Sequence, residues 1–300
     1  MICFYHSADL DGKCSAAIVK YVYPSCELYP WDYGDPLPEI EYFNHDKVFI
    51  IDIFFPPEKM KWIEENVKCP IWIDHHVSSI NTAEKHNLNF RQCNGIQKVG
   101  KAACELTWEF LSRYDILKPN NVPIAVTLLG RYDVWDLDYN LSVLPFQYGM
   151  RVEKTDPQSL LWKTLFENPE SPGSHTIDKL ETIEEKGEII IEYEKFQAEE
   201  YLNSYSFTTK IKDYNALSVN RGKVNSLFFN SHFNPEIHDL MCSFVMSSNQ
   251  NWYVSFYTTK DNVDCSKLAQ EFGGGGHKQA AGYSGPNLPF TLPSPGFLED

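Results

Sequence analysis

The sequence holds no C-x-x-C pair, no basic run longer than two residues, and no apolar run near the ~18 residues a membrane span requires. The eight cysteines are scattered from Cys3 to Cys265, which excludes a thiolate zinc framework and fits buried free thiols. The opening residues, Met1 to His6, offer no basic segment leading into an apolar stretch. No secretory signal is therefore expected, and the cytoplasm is the expected compartment. Lys and Arg number 26 against 41 acidic residues, a net charge of −15. Proteins that track long nucleic acids present a basic stripe to the phosphates, so long polymers are poor candidates as ligands. A small anion stays open, because a bound divalent cation can reverse the local field.

What is present describes an ordinary globular chain. It has 300 residues, 43% apolar and 22% charged, enough for two domains and a sizeable core. No internal repeat is visible. Ile2 to Tyr5 reads as a buried strand, followed by a polar loop from His6 to Gly12 and a helix-like run, Ser15 to Val19. Lys47 to Ile51 is a second apolar run ending on Asp52, and Cys69 to Ile73 a third, ending on Asp74-His75-His76. Pro56-Pro57-Glu58 marks a helix start between them. Helical patterns follow at Ala102 to Tyr114 and Val122 to Leu129, the second closed by Gly130-Arg131-Tyr132-Asp133. Ile177 to about Tyr201 is a long charged helix. Strand-like runs, Met241 to Met246 and Trp252 to Thr258, come next, then a helix at Ser266 to Phe272 and Gly273-Gly274-Gly275-Gly276-His277. Strands alternating with helices predict an α/β fold: a parallel N-terminal sheet flanked by helices, a linker helix, and a smaller α/β C-terminal domain with a mixed sheet.

Three apolar runs stop at acidic or imidazole residues, and the carboxyl ends of strands form the ligand crevice of open α/β sheets. His6, Asp9 and Asp11, then Asp52, then Asp74, His75 and His76 are expected to converge there, with Asp133 as one more candidate. Each has a blander explanation: a lone Asp caps a helix, adjacent histidines are often incidental, and a glycine run is often only a turn. Their co-occurrence argues for a site. Carboxylates and imidazoles without thiolate suit manganese or magnesium ahead of zinc. Asp9 and Asp11, one residue apart, can serve two neighbouring ions, and an Asp with two oxygens can bridge them. Such a pair clamps the attacking and leaving oxygens of phosphoryl transfer.

The segments His6-Ser7-Ala8-Asp9-Leu10-Asp11-Gly12, Asp52, Asp74-His75-His76, Gly130 to Asp136 and Gly273 to Gly282 together resemble the DHH phosphoesterase superfamily, in the oligoribonuclease or small-nucleotide branch with a DHH-associated C-terminal domain. The motifs span residues 6 to 282. The resemblance implies a catalytic domain over 1–176, a linker helix over 177–205, a substrate-binding domain over 206–285 and a loosely ordered tail over 286–300. It implies two manganese ions per chain, with magnesium or cobalt as alternatives. His6, Asp9 and Asp52 would hold one, and Asp11, Asp52, His75 and Asp133 the other, with Asp52 bridging. Asp74 would orient a ligand imidazole, and His76 would face the substrate phosphate. Asp136 lies outside this set, with a structural job expected. Gly274, Gly275, Gly276 and His277 would bind substrate, the glycine amides approaching a phosphate closely. Many members carry an arginine on the preceding strand; here Val254 to Thr258 has none, and Tyr257 and Arg221 are the candidates to stand in.

The activity implied is hydrolysis of short oligonucleotides or dinucleotide-like molecules, nucleotide second messengers included, to mononucleotides. A RecJ-type exonuclease on long single strands is the alternative, disfavoured by charge. A pyrophosphatase is disfavoured by the glycine-rich ending, and a non-catalytic nucleotide sensor by the intact ligand set. No membrane partner is expected, and the sequence leaves room for a homodimer.

Overall fold

The computed structural model describes residues 1–90, 95–113, 117 and 121–291. The end of the helix expected to reach Tyr114, and the tail beyond residue 291, lie outside the described residues. The chain divides into two compact units, Met1–Ile191 and Glu192–Asp300.

The first unit is built on β1 (Ile2–His6), β2 (Glu27–Trp31), β3 (Val48–Ile51), β4 (Pro70–Asp74) and β5 (Ile96–Gln97), all parallel, in the order β2-β1-β3-β4-β5. Its helices are α1 (Leu10–Val22), α2 (Pro57–Asn66), α3 (Val77–Lys85), α4 (Ala103–Ser112), α5 (Ile124–Asp133), α6 (Val143–Met150) and α7 (Leu160–Phe166). The strands are near-continuous apolar runs because both faces are covered. Cys3, Tyr5, Phe49, Ile51, Ile71 and Ile73 join one cluster with residues of α1, α4 and α5. Their strand neighbours Ile2, Phe4, Val48, Ile50 and Trp72 join a second, with Met60 and Ile63 of α2 and Ala83 of α3. That two-residue alternation is the pleat sorting side chains to opposite layers. Each fully buried Phe, Ile or Val contributes roughly 1.5–3 kcal/mol. The strand order changes direction at β1, and the crevice of such a sheet opens at the carboxyl ends beside that point.

The long charged helix is α8 (Thr176–Tyr205), and the division between the units falls inside it. The second unit carries β6 (Ser206–Ile211), β7 (Tyr214–Asn220), β8 (Leu240–Met246), β9 (Trp252–Tyr257), α9 (Cys265–Gln270), β10 (Gly275–Gly276) and β11 (Ala280–Gly285). The sheet is mixed, β10-β11-β9-β8-β7-β6, with β7 and β8 parallel and the other pairs antiparallel. The expected fold class holds for both units. Cys3, Cys14, Cys26, Cys104, Cys242 and Cys265 are free and buried. Among the described residues no helix is long and apolar enough to cross a membrane.

α5 starts at Ile124 rather than Val122 and takes in its closing segment, Gly130 to Asp133. A Cβ at Gly130 would lie 2.7 Å from the Glu105 side chain, so the glycine is there for close packing against α4. The glycine run is in part a strand, since Gly275 and Gly276 pair with Gly282 and Ala281.

Candidate metal centre at the strand ends

His6 closes β1, Asp52 follows β3 and Asp74 closes β4, so three adjacent parallel strands deliver them to one end of the sheet. Asp9 is the N-cap of α1, its Oδ1 accepting the Gly12 amide at 2.9 Å while Oδ2 lies 2.6 Å from His6 Nδ1. A Cβ at Gly12 would meet the His6 carbonyl oxygen at 2.1 Å, so only glycine lets the helix start this close to the strand. Asp11, in the first turn, is 3% exposed. Its Oδ2 and Oδ1 accept the amides of Ala103 and Cys104 at 2.8 and 2.7 Å, capping α4 from across the fold.

Asp52 is 1% exposed and has φ of 61°, a left-handed backbone that aspartate adopts only at a cost. Its two oxygens face different imidazoles: Oδ2 lies 3.5 Å from His6 Nδ1, and Oδ1 lies 3.5 Å from His75 Nε2. His75 Nε2 also lies 3.1 Å from Asp133 Oδ2 and 3.7 Å from Asp11 Oδ2. Three groups of ligand-type atoms result: His6, Asp9 and Asp52; Asp11, His75 and Asp133; and Asp52, His75 and His76. All six residues expected to hold metal are in them.

Asp74 is fully buried, and its Oδ1 accepts the amides of His75 and His76 at 2.7 and 3.0 Å. The same oxygen lies 2.8 Å from His76 Nδ1. The imidazole that Asp74 orients is thus His76, the one expected to face substrate, rather than a member of the expected ligand set.

The charges fit this geometry. Burial alone would lower the His6 and His75 pKa values, but the surrounding carboxylates outweigh it. Asp32, Asp52 and Asp9 raise that of His6, and Asp133 and Asp52 take His75 up to about 12. His76 is likewise raised to about 9 against its burial, chiefly by Asp74. Burial, then Asp52 and Asp133, push the Asp11 carboxyl well above the usual range. So many carboxylates in one buried place repel one another, and a cation relieves that repulsion.

The donor set matches a hard divalent ion. Octahedral ions with bonds near 2.0–2.1 Å hold adjacent donors about 3 Å apart. The imidazole–carboxylate separations within the first two groups run from 2.6 Å to 3.7 Å. Asp52 Oδ1 and Asp133 Oδ2 are buried and accept no hydrogen bond among the described residues, although imidazole nitrogens stand nearby. Lone pairs that converge on shared space, instead of on a donor hydrogen, are what coordination needs. These residues could therefore hold metal.

Two residues of the neighbourhood escaped the sequence reading. Asp32 Oδ1 lies 3.2 Å from His6 Nε2, and the Tyr33 hydroxyl accepts the Phe54 amide at 3.1 Å. The signal was another apolar strand, β2, stopping at an acid, but Pro30 within it argued against a strand. Asp136 pairs with Arg131, at 3.3 Å, and the Arg131 guanidinium also lies 3.5 Å from Glu105.

In the second unit, Gly274 and Gly276 are glycines for local reasons. A Cβ at Gly274 would meet the Gly282 carbonyl oxygen at 2.1 Å, and Gly276 has φ of 135° with Ala280 and Ala281 within 3 Å of any Cβ. The amides of Gly273, Gly274 and His277 donate to Gln270, Ala269 and Ala280. Gly275 alone of these four faces open space at a non-positive φ, on the edge strand, and His277 beside it is exposed. Tyr257 is engaged: its hydroxyl donates to Val224 O at 2.7 Å, and its ring packs against the cluster of Leu217, Val219 and Phe229. Arg221 lies over the rings of Tyr201 and Phe228 at 4.7 and 4.8 Å.

Residues 230–294 match the DHHA1 domain model. That match covers the C-terminal part of the chain, where the glycine-rich motif lies. The chain is 24% identical over 308 aligned positions to oligoribonuclease NrnB of Bacillus subtilis (strain 168), covering 93% of this chain and 72% of that one. Among solved structures it is similar to the DHH domain of a member of a ribosomal-protein family, with a TM-score of 0.56 and 11% identity over 95% of this chain and 82% of that one. It is also similar to an exopolyphosphatase-related protein from Bacteroides fragilis, with a TM-score of 0.50 and 15% identity over 94% and 85% of the two chains. The two structural likenesses bear on the fold alone. The DHHA1 match and the likeness to NrnB agree with the family resemblance carried by the motifs.

Proposed function

We infer that this chain is a metal-dependent phosphodiesterase of the DHH superfamily that hydrolyses short oligonucleotides or dinucleotide-like molecules, nucleotide second messengers among them, to mononucleotides. The observation that carries the reading is Asp52, whose two carboxylate oxygens face the imidazoles of two different ligand groups. His6, Asp9 and Asp52 would hold one ion; Asp11, Asp52, His75 and Asp133 would hold a second. Manganese fits the mixed carboxylate and imidazole donors, with magnesium or cobalt as alternatives. When bound, such ions lower the pKa of a water and neutralise the phosphate.

The chain's own residues supply the rest. Asp74 Oδ1 lies 2.8 Å from His76 Nδ1, so it orients the ring and raises its pKa. The Nε2–H on the other side of the ring would then pair with a phosphate oxygen and protonate the leaving oxygen. Asp11 and Asp9 cap α4 and α1, so the helices and the ligand set are fixed by the same side chains. Gly274 to His277 remain the proposed substrate-binding segment of the second unit. The net charge of −15 favours short substrates, because affinity for long polymers is dominated by phosphate neutralisation.

The test is hydrolysis of a dinucleotide and of a long single strand, at equal concentrations of ends, with manganese and after chelation. The reading expects mononucleotide release from the dinucleotide, dependent on added metal and lost in Asp52→Asn. Undiminished activity in that variant would sink it.

A further inference from the structure

We propose that the turn after β2 is a positioning device for the site, with Asp32 fixing the tautomer and ring orientation of His6 and Tyr33 holding the backbone just beyond Asp52. The proposal rests on the metal-site reading above and adds two residues to it. A ligating imidazole usually gives its other ring N–H to a carboxylate or carbonyl, which decides which nitrogen is left for the ion. His6 has that arrangement. Nδ1 faces Asp9 and Asp52 at 2.6 and 3.5 Å, and Nε2 faces Asp32 Oδ1 at 3.2 Å. With Nε2 protonated toward Asp32, the Nδ1 lone pair points at the two carboxylates that would share its ion.

The turn is itself braced. Asp32 Oδ1 accepts the Tyr33 amide at 2.7 Å, the Asp32 amide donates to Asp35 Oδ2 at 3.0 Å, and the Asp35 amide returns to Asp32 O at 3.0 Å. Trp31 Nε1 donates to Pro36 O at 3.2 Å, and the Ser7 amide, next to His6, donates to Trp31 O at 3.1 Å. From the same turn the Tyr33 hydroxyl accepts the Phe54 amide, two residues past Asp52, and its ring stands 5.9 Å from the His6 ring. Asp52 sits in a left-handed conformation that few contacts tolerate. The hydroxyl on Phe54 N is one of the bonds that keeps the chain in it; the Asp52 amide on Ile73 O is another. One short turn thus sets the angle of His6 and the exit of the chain from Asp52.

The experiment uses the full chain and three variants, Asp32→Ala, Asp32→Asn and Tyr33→Phe. Manganese binding is followed by calorimetry, and the His6 tautomer by ring-nitrogen NMR of the magnesium-loaded protein. Far-ultraviolet circular dichroism and melting report folding. The expected result is a loss of metal affinity of roughly 10–100-fold in Asp32→Ala. His6 would then lose its Nε2–H signature. Asp32→Asn, which keeps an acceptor oxygen, should recover much of both, and Tyr33→Phe should weaken binding with the His6 tautomer unchanged. Unaltered affinity and tautomer in a folded Asp32→Ala protein would overturn the proposal. A wild-type chain that binds no manganese would instead remove the metal-site reading and the proposal together.

Discussion

Asp11 receives the amide of Ala103, 92 residues further along the chain, at 2.8 Å, and with its other oxygen the amide of Cys104. A residue in the proposed ligand set therefore also ties α1 to α4. Asp11→Ala should leave both buried amides without acceptors, at about 1–3 kcal/mol each. Denaturant unfolding in chelator isolates this cost from any metal effect. Asp11→Asn, with one carbonyl oxygen left, should lose less. Both variants remove the same charge, so if Asp11→Ala unfolds at the same midpoint as Asp11→Asn without metal, the capping role is wrong.

Removing His76 separates chemistry from metal binding. His76→Ala should lower kcat by about 10²–10⁴ while manganese affinity changes little, because His76 is outside the proposed ligand set. Asp74→Asn should act in the same direction through the His76 ring, since it replaces the charge that holds Nδ1. Single-turnover rates and calorimetry on the same samples make the comparison.

Glycines 130 and 275 should respond oppositely to alanine. At Gly130 the added methyl would run into the Glu105 side chain, which is 6% exposed and has little room to yield. A loss of about 1–3 kcal/mol is expected, the usual cost of overpacking. At Gly275 the space is open, so stability should change by less than about 0.5 kcal/mol. A rise in KM for a dinucleotide in Gly275→Ala, at unchanged melting temperature, would mark the edge strand as a substrate contact.

Glu153 predicts a pH dependence. Its burial opposes ionisation, but Lys186 and Lys179 outweigh it and hold the carboxyl below the usual range. The contacts are 2.6 Å to Lys186 and 2.9 Å to Lys179. A depressed folded pKa gives stability that is fully present above the unfolded value, about 4.3. That stability disappears as pH falls through the folded pKa. Wild type should lose on the order of 1 kcal/mol more than Glu153→Gln between pH 6 and pH 3. Parallel unfolding curves for the two proteins would contradict this.

Much of the architecture was legible because the parallel strands are buried on both faces, so each appears as an apolar run that stops where the sheet ends. Asp52 and Asp74 stand at such stops, and their meeting follows from strand adjacency. β2 was not legible, since its Pro30 and half-exposed residues lack that signature, and Asp32 was hidden with it. Nor does any local pattern say that Asp11 would cap a helix starting at Ala103. The blander duties first weighed against a site are present as well: Asp9 caps α1, and Asp74 collects two amides, while both stay near the strand ends. No local pattern says that Gly130, in the closing turns of α5, makes room for Glu105.

The left-handed backbone at Asp52 also bears on how such a protein could drift into inactivity. Glycine accepts that conformation freely, and its entry would remove one buried charge from a crowded cluster. A change to glycine at position 52 should therefore leave a sound, even sturdier, fold with no capacity for turnover. Selection for persistence alone would not resist it; only selection for hydrolysis would.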